Sequence, residues 1–192
     1  FGAAFSRYTD LKKGRQALER EFGLTTRDAR RYGKIAANAY SNAWGESIEQ
    51  NARTLGTIDQ LLGDDLAAGG DTLDDLLPKA QALADVFGTD VTEAIRTVNI
   101  MLESGLVDSA AEGFDALTAG FQGGLDIAGD FLDTFNEYGT QFKDLGLSVT
   151  DVLAIMSTGL ENGARDTDKI ADSIKEFMTR VASTQDIADV GA

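Results

Sequence analysis

Moved along by 58 residues, the C-terminal two thirds of this chain falls on itself. Gly88 lands on Gly146, Val91-Thr92 on Val149-Thr150, Glu93 on Asp151, Leu102-Glu103 on Leu160-Glu161, Gly105 on Gly163 and Asp108 on Asp166. Many of the matching residues are punctuation. Gly105 and Gly163 supply the left-handed conformation that commonly ends a helix and that other residues adopt only at a cost. The helix starts follow the same shift, with Asp90 falling on Ser148 and Ser109 on Thr167, all side chains that can cap exposed amide groups. A repeat of about 58 residues with three helices in each unit cannot be a sheet or a single rod, and it points to an all-α, multi-helix array.

Along the chain, residues 3–22 read as a helix ending at Gly23, with Leu11, Leu18 and Phe22 on one face. Thr25 followed by Asp28 resembles a capping box and opens a helix through Tyr32, Ile35, Ala36, Ala39 and Tyr40. Near Gly45 that helix either bends or continues through Ile48 and Leu55 towards Leu61-Leu62. The stretches Gly63-Asp64-Asp65 and Gly69-Gly70-Asp71 read as the least ordered part and as the principal boundary. A helix over 73–87 should end at Gly88. Asp90 with Glu93 opens the next, which Gly105 closes, and Ser109 with Glu112 opens a third to about Phe121. The expected divisions are a basic helical segment over 1–68, three-helix repeats over 69–125 and 126–182, and a tail over 183–192. Val91, Ile95, Val98 and Leu102, and in the second unit Val152, Ile155 and Met156, should face a common core. Met101, Met156 and Met178 read mainly as core filler, with a partner-binding surface as the minor alternative.

The chain has no cysteine and no histidine. Disulfide frameworks, thiolate zinc sites, Ser-His-Asp and Cys-His triads and HExxH metal sites are therefore excluded. Carboxylate chemistry survives in principle, but an acidic chain offers carboxylate pairs by chance, so no catalytic residue is assigned. The cluster Asp64, Asp65, Asp71, Asp74 and Asp75 lacks the spacing of a calcium loop and reads as an exposed turn with helix-start acids. Asp166-Thr167-Asp168 reads as a helix N-terminus. Gly120, Gly123, Gly124 and Gly129 follow no strand, so they form no phosphate loop. They allow either a close helix crossing or, the favoured reading, a hinge between the repeats. Tyr40 and Trp44, one helical turn apart near Tyr32 and Ala36, read as core or helix–helix interface. No metal, cofactor-binding or catalytic residue is expected, and the chain is expected not to be an enzyme.

Net charge is -15 and unevenly spread. Residues 1–53 hold ten Lys/Arg against six Asp/Glu (+4), and residues 54–192 hold seven against 26 (-19). The acidic body should repel DNA phosphates and anionic lipid, so no sequence-specific nucleic-acid partner is expected. The basic start (Arg7, Lys12, Lys13, Arg15, Arg20, Arg27, Arg30, Arg31 and Lys34) reads as a solvated helix face, with contact to an acidic partner as the alternative. No stretch approaches the roughly 20 apolar residues of a membrane span, and none resembles a signal peptide. Starting at Phe1, the chain reads as an internal piece of a longer polypeptide.

Several stretches resemble one known family. They are Phe87-Gly88-Thr89-Asp90-Val91, residues 117–125 (LTAGFQGGL), 129–139 (GDFLDTFNEYG), 141–147 (QFKDLGL), 159–172 (GLENGARDTDKIAD) and Lys175-Glu176-Phe177. These are similar to phage tail tape measure proteins, particularly those of phages and prophages of actinobacteria. The likeness is close over 75–180 and looser over 25–65, where 33–37 (GKIAA) and Gly45-Glu46-Ser47 carry it. It implies a virion protein in the lumen of the tail, present in the host cytoplasm during assembly, that sets tail length and assists genome delivery. It also implies further copies of itself, the tail tube protein, tail assembly chaperones and tail-tip proteins as partners, with contact to the host membrane at ejection. Because glycines and caps interrupt every helix and no heptad pattern persists, this stretch should be a compact domain, not a continuous rod. The competing reading is an acidic helical adaptor of a bacterial cell that binds a basic protein.

Overall fold

The computed structural model of the chain describes residues 2–190, leaving aside the side chains of 2–5, 64, 65, 67, 68 and 181–190. Among the described residues there are nine α-helices and no strand. They are α1 (Gly2–Glu21), α2 (Thr26–Ser41), α3 (Ile48–Gly69), α4 (Leu73–Phe87), α5 (Val91–Glu103), α6 (Ala110–Gln122), α7 (Phe131–Asp144), α8 (Val149–Glu161) and α9 (Thr167–Val190). The starts are set by the capping residues. Thr25, Ser47, Thr72, Asp90, Ser109 and Ser148 each accept a bond from the backbone N–H three residues on. Ser148 and Asp151 complete a reciprocal capping box. At the other pairs the first half forms, but no bond from Asp28 or Glu93 returns to the cap backbone. Gly88 and Gly105 follow their helices at φ 72°, and Gly146 repeats that value.

Three local expectations are corrected. The helix through Tyr40 neither bends nor continues past Gly45. It ends at Ser41, and Ala43 (φ 64°) and Gly45 (φ 70°) turn the chain before Ser47 caps α3. The supposed loop at Gly63-Asp64-Asp65 is helical, because α3 runs on to Gly69, and the break falls at residues 70–72. Three intrahelical bonds per turn outweigh one glycine's propensity cost of about 1 kcal/mol. The cap of α9, the third helix of the second repeat, is Asp166, whose Oδ1 accepts the Lys169 N–H at 2.8 Å. Thr167, expected to cap, turns inward and is fully buried, sharing a 2.9 Å bond with Thr134. At the C-terminal end, α9 continues to Val190, so residues 183–190 extend the helix.

The 58-residue repeat appears as geometry. α4, α5 and α6 start at residues 73, 91 and 110; α7, α8 and α9 start at 131, 149 and 167. From α1 to α6 helices pack on their chain neighbours, as α8 does on α9, and throughout they pack on the helix two places along: α1 on α3, α2 on α4, α3 on α5, α4 on α6, α5 on α7, α6 on α8 and α7 on α9. One acid device recurs in each triplet. Asp10 accepts the Ile48 N–H at 2.8 Å, Asp71 the Ala110 N–H at 2.8 Å and Asp130 the Asp168 N–H at 2.8 Å. Each time a carboxylate in or just before the first helix of a triplet neutralises the positive end of the third. By this device α1–α3 form a third unit of the same kind. A fixed offset hides it, because the cap Ser47 lies 62 residues before Ser109 while Ser109 lies 58 before Thr167.

One hydrophobic cluster runs from Leu18 in α1 to Ala171 in α9. Buried polar pairs pin it in register: Thr54 of α3 with Gln81 of α4 at 3.0 Å, and Thr97 of α5 with Asn136 of α7 at 2.9 Å. Aromatic rings carry the core across the join between the two longer-recognised repeats. Phe87 stacks on Phe121 with centroids 5.2 Å apart, and Phe121 meets Phe131 edge-on at 5.4 Å. The glycine-rich stretch divides between its two readings. Gly120 gives close approach, since a Cβ there would stand 2.0 Å from the Phe131 ring, whereas Gly124 and Gly129 take positive φ in the turn. That turn is anchored by buried Leu125 and by Asp126, which accepts the Phe131 N–H at 3.2 Å.

Candidate functional site

The acids singled out in the sequence serve the backbone. Asp71 accepts from Ala110 and also from Ala111 at 3.2 Å. Asp75 bonds Thr72, and Asp74 lies exposed in the first turn of α4. The side chains of Asp64 and Asp65 lie outside the described residues. No group of three or more acids is placed to hold a metal ion among the described residues.

A shallow, mainly acidic cleft does form where α7 meets the start of α9, lined by Asp130, Asp133, Glu137, Asp166 and Asp168 with one cation, Arg165. Its negative charge reaches nearby carboxyls. Burial first, then Asp133, Asp90 and Asp126, raises the pKa of Glu93. Burial also raises that of Asp126, helped by Asp130 and Asp133 and opposed by the bond from Phe131 N–H. Such groups can repel DNA phosphates or attract cations diffusely, but they form no acid–base pair aimed at a shared point.

Tyr32 lies in the core and Tyr40 packs against it from α2, whereas Trp44, expected one helical turn on from Tyr40, lies past the end of α2 in the turn before α3 and packs against the core from there. Tyr32 donates its hydroxyl to Asp59 of α3, and its pKa is pushed up to about 12 by burial and by that bond. Sequence reasoning did not find Asn51, fully buried and donating to the Trp44 carbonyl at 2.9 Å and the Ala36 carbonyl at 3.3 Å. It ties down the 42–47 turn, and an Asn in a helix interior carries no pattern that would reveal this. The basic residues of α1 and α2 are exposed, apart from half-buried Arg15. Met101 and Met156 fill the core as expected; Met178 is 37% exposed.

The C-terminal end differs from the rest. Ile155, assigned to the core by its spacing, is only half-buried and lines an open groove between α8 and α9 with Leu147, Ala154, Thr158 and Ile170. A second groove, joined to it at Ile170, is lined by Ala164, Ile174 and Phe177. Phe177 is 65% exposed. No helix of the described residues is long and apolar enough to cross a membrane.

This acidic, cap-punctuated array matches a known family. A family model described as phage-related minor tail protein covers residues 38–191. The chain belongs to that family. This minor tail protein therefore has a structural role in a phage tail and a place in the virion. It is also 44% identical over 85 residues to the probable tape measure protein of Streptomyces phage phiC31. That match spans 43% of this chain and 12% of the relative's length. No solved structure matches the chain at a significant level. A tail family leaves the alternative of a cellular adaptor without an observation in its favour.

Proposed function

We propose that this minor tail protein is part of a tape measure. It lies in the lumen of the tail, sets tail length during assembly and moves ahead of the genome at infection, acting structurally and not as an enzyme. The observation that carries this reading is the 44% identity over 85 residues to a probable tape measure protein. The acidic surface supports it physically, because a lumen that DNA must later traverse should not bind DNA. Further copies of itself, the tail tube protein, assembly chaperones and tail-tip proteins are the partners this role requires. Assembly takes place in the host cytoplasm, and contact with the host membrane at ejection would need apolar faces now turned inward.

The stretch acts as a folded array within the ruler. The longest helix among the described residues has 24 residues, about 36 Å at 1.5 Å per residue. The test is an in-frame deletion of this segment from the phage gene, read by electron microscopy and plaque formation. The proposal expects shorter tails, by much less than the roughly 290 Å that 192 helical residues would span, together with reduced infectivity. Normal tails on fully infectious particles would overturn it.

A further inference from the structure

Each later unit of the array buries one side against the unit before it, and the residues on that side can be compared with those of α1–α3. Thr25 of α2, Asp90 of α5 and Ser148 of α8 are equivalent caps, which places Arg30 on Ile95 and on Leu153. Ile95 is fully buried. Val98 of α5 lies against Gly113 of α6, and Thr97 bonds Asn136 of α7. The side of α5 that carries Ile95 is thereby left for α3 and α4, the other two helices it packs on. On α2 the same position holds an exposed charge. Its flanks have changed in the same sense, with exposed Arg27 where α5 has Thr92 and exposed Lys34 where it has Asn99.

The first helix agrees. With the caps Ser47 and Ser109 superposed, Glu19 of α1 falls on Gln81 of α4, and the 58-residue offset carries that position on to Gly139 of α7. Gln81 is fully buried and bonds Thr54 of the unit before it. A Cβ on Gly139 would stand 3.5 Å from Ile100, again in the unit before. Glu19 is exposed. At both helices, a residue that is neutral and turned to the preceding unit in later units is charged here. None of Glu19, Arg27, Arg30 and Lys34 is held in an ion pair among the described residues. Packing a further unit on this side, as α3 packs on α5, would take these charges out of water, which is strongly unfavourable. The side is polar by residue type, not for want of a neighbour.

We infer that α1–α3 is the capping unit of the array, and that its outer face of Glu19, Arg27, Arg30 and Lys34 stays in water in the full product of the phage gene. A stack of repeats needs a terminal unit with a polar outer face, because an apolar one would go on collecting partners. The inference gives the basic start of an otherwise acidic chain a role, which is to close the array on the α2 side. Any further unit stacks at the opposite end. It does not depend on the chain's part in setting tail length.

The chain has no cysteine, so single introduced thiols report exposure without background. Maleimide labelling of Arg30→Cys and of Lys34→Cys is timed in the 192-residue protein and in the full gene product freed of any other cysteine. Arg96→Cys, on the exposed side of α5, and Ala94→Cys and Ile95→Cys, at buried sites of the same helix, set the scale. Circular dichroism checks that each variant is folded. Both α2 thiols should react within about threefold of Arg96→Cys in both proteins, and the buried thiols at least roughly tenfold more slowly. If the α2 thiols label fast in the 192-residue protein but as slowly as the buried ones in the full gene product, another unit covers α2 and the inference is wrong. Slow labelling already in the 192-residue protein overturns it as well, because the face is then closed within the segment itself.

Discussion

α5 and α8 are the same helix in two circumstances. Each has 13 residues, each is capped by a side chain accepting from the third N–H, and each is followed closely by a left-handed glycine. Yet α5 is enclosed by α3, α4, α6 and α7, while α8 packs on α6 and α9 and leaves one face open. The difference teaches that local sequence fixes where a helix starts and stops, whereas the array decides what each face costs. Identical mutations at equivalent positions should therefore have unequal effects.

The largest contrast is expected in the core. Ile95→Ala in α5, where the side chain is fully buried, should cost about 2–5 kcal/mol in urea unfolding. Its equivalent, Leu153→Ala in half-buried α8, should cost roughly half that or less, because the site can collapse towards solvent. Equal losses would mean that α8 is as enclosed as α5. The acid device should behave alike in all three units. Asp10→Ala, Asp71→Ala and Asp130→Ala each remove a bond to a helix N-terminus and should cost about 0.5–2 kcal/mol. A negligible loss at Asp10 alone would argue against α1–α3 as a unit of the same kind.

Smaller effects sharpen the comparison further. Ile155→Glu should change the stability of a single copy by no more than about 0.5 kcal/mol, although Thr97→Glu at the covered equivalent should be severely destabilising. The smallest shift concerns Glu93, whose pKa is raised by burial and by neighbouring acids. A raised carboxyl pKa favours the fold below the unfolded value and loses that contribution as pH rises through the folded value. Glu93→Gln should therefore raise the melting temperature slightly at pH 7. The gain should vanish below about pH 4, where the unfolded side chain is also protonated.

Much of this fold is legible in the residues, for local reasons. Ser, Thr and Asp before an apolar run, and glycine after it, mark helix ends through bonds within four residues, so α4, α5, α6 and α8 read correctly. What failed depended on distance. Asp64-Asp65 beside Gly63 look like a loop, but helix α3 continues because its neighbours bury its opposite face. Thr167 looks like a cap until Thr134 of α7 draws it inward. Ile155 has core spacing, but among the described residues no helix covers its face of α8 as α7 covers the equivalent face of α5, so it is only half-buried. The repeat in α1–α3 escaped because the 42–47 turn and the longer α3 change the offset. Asn51 and Gln81, buried polar side chains that join elements, have no sequence signature at all.

Small-angle X-ray scattering of the 192-residue chain at low concentration measures most directly whether this segment is a folded array. A compact chain of 192 residues should give a radius of gyration on the order of 16–20 Å. A continuous helical rod of that many residues, about 290 Å long, would give roughly 80 Å. A value near the first supports the array within the tail. A value approaching the second would contradict it.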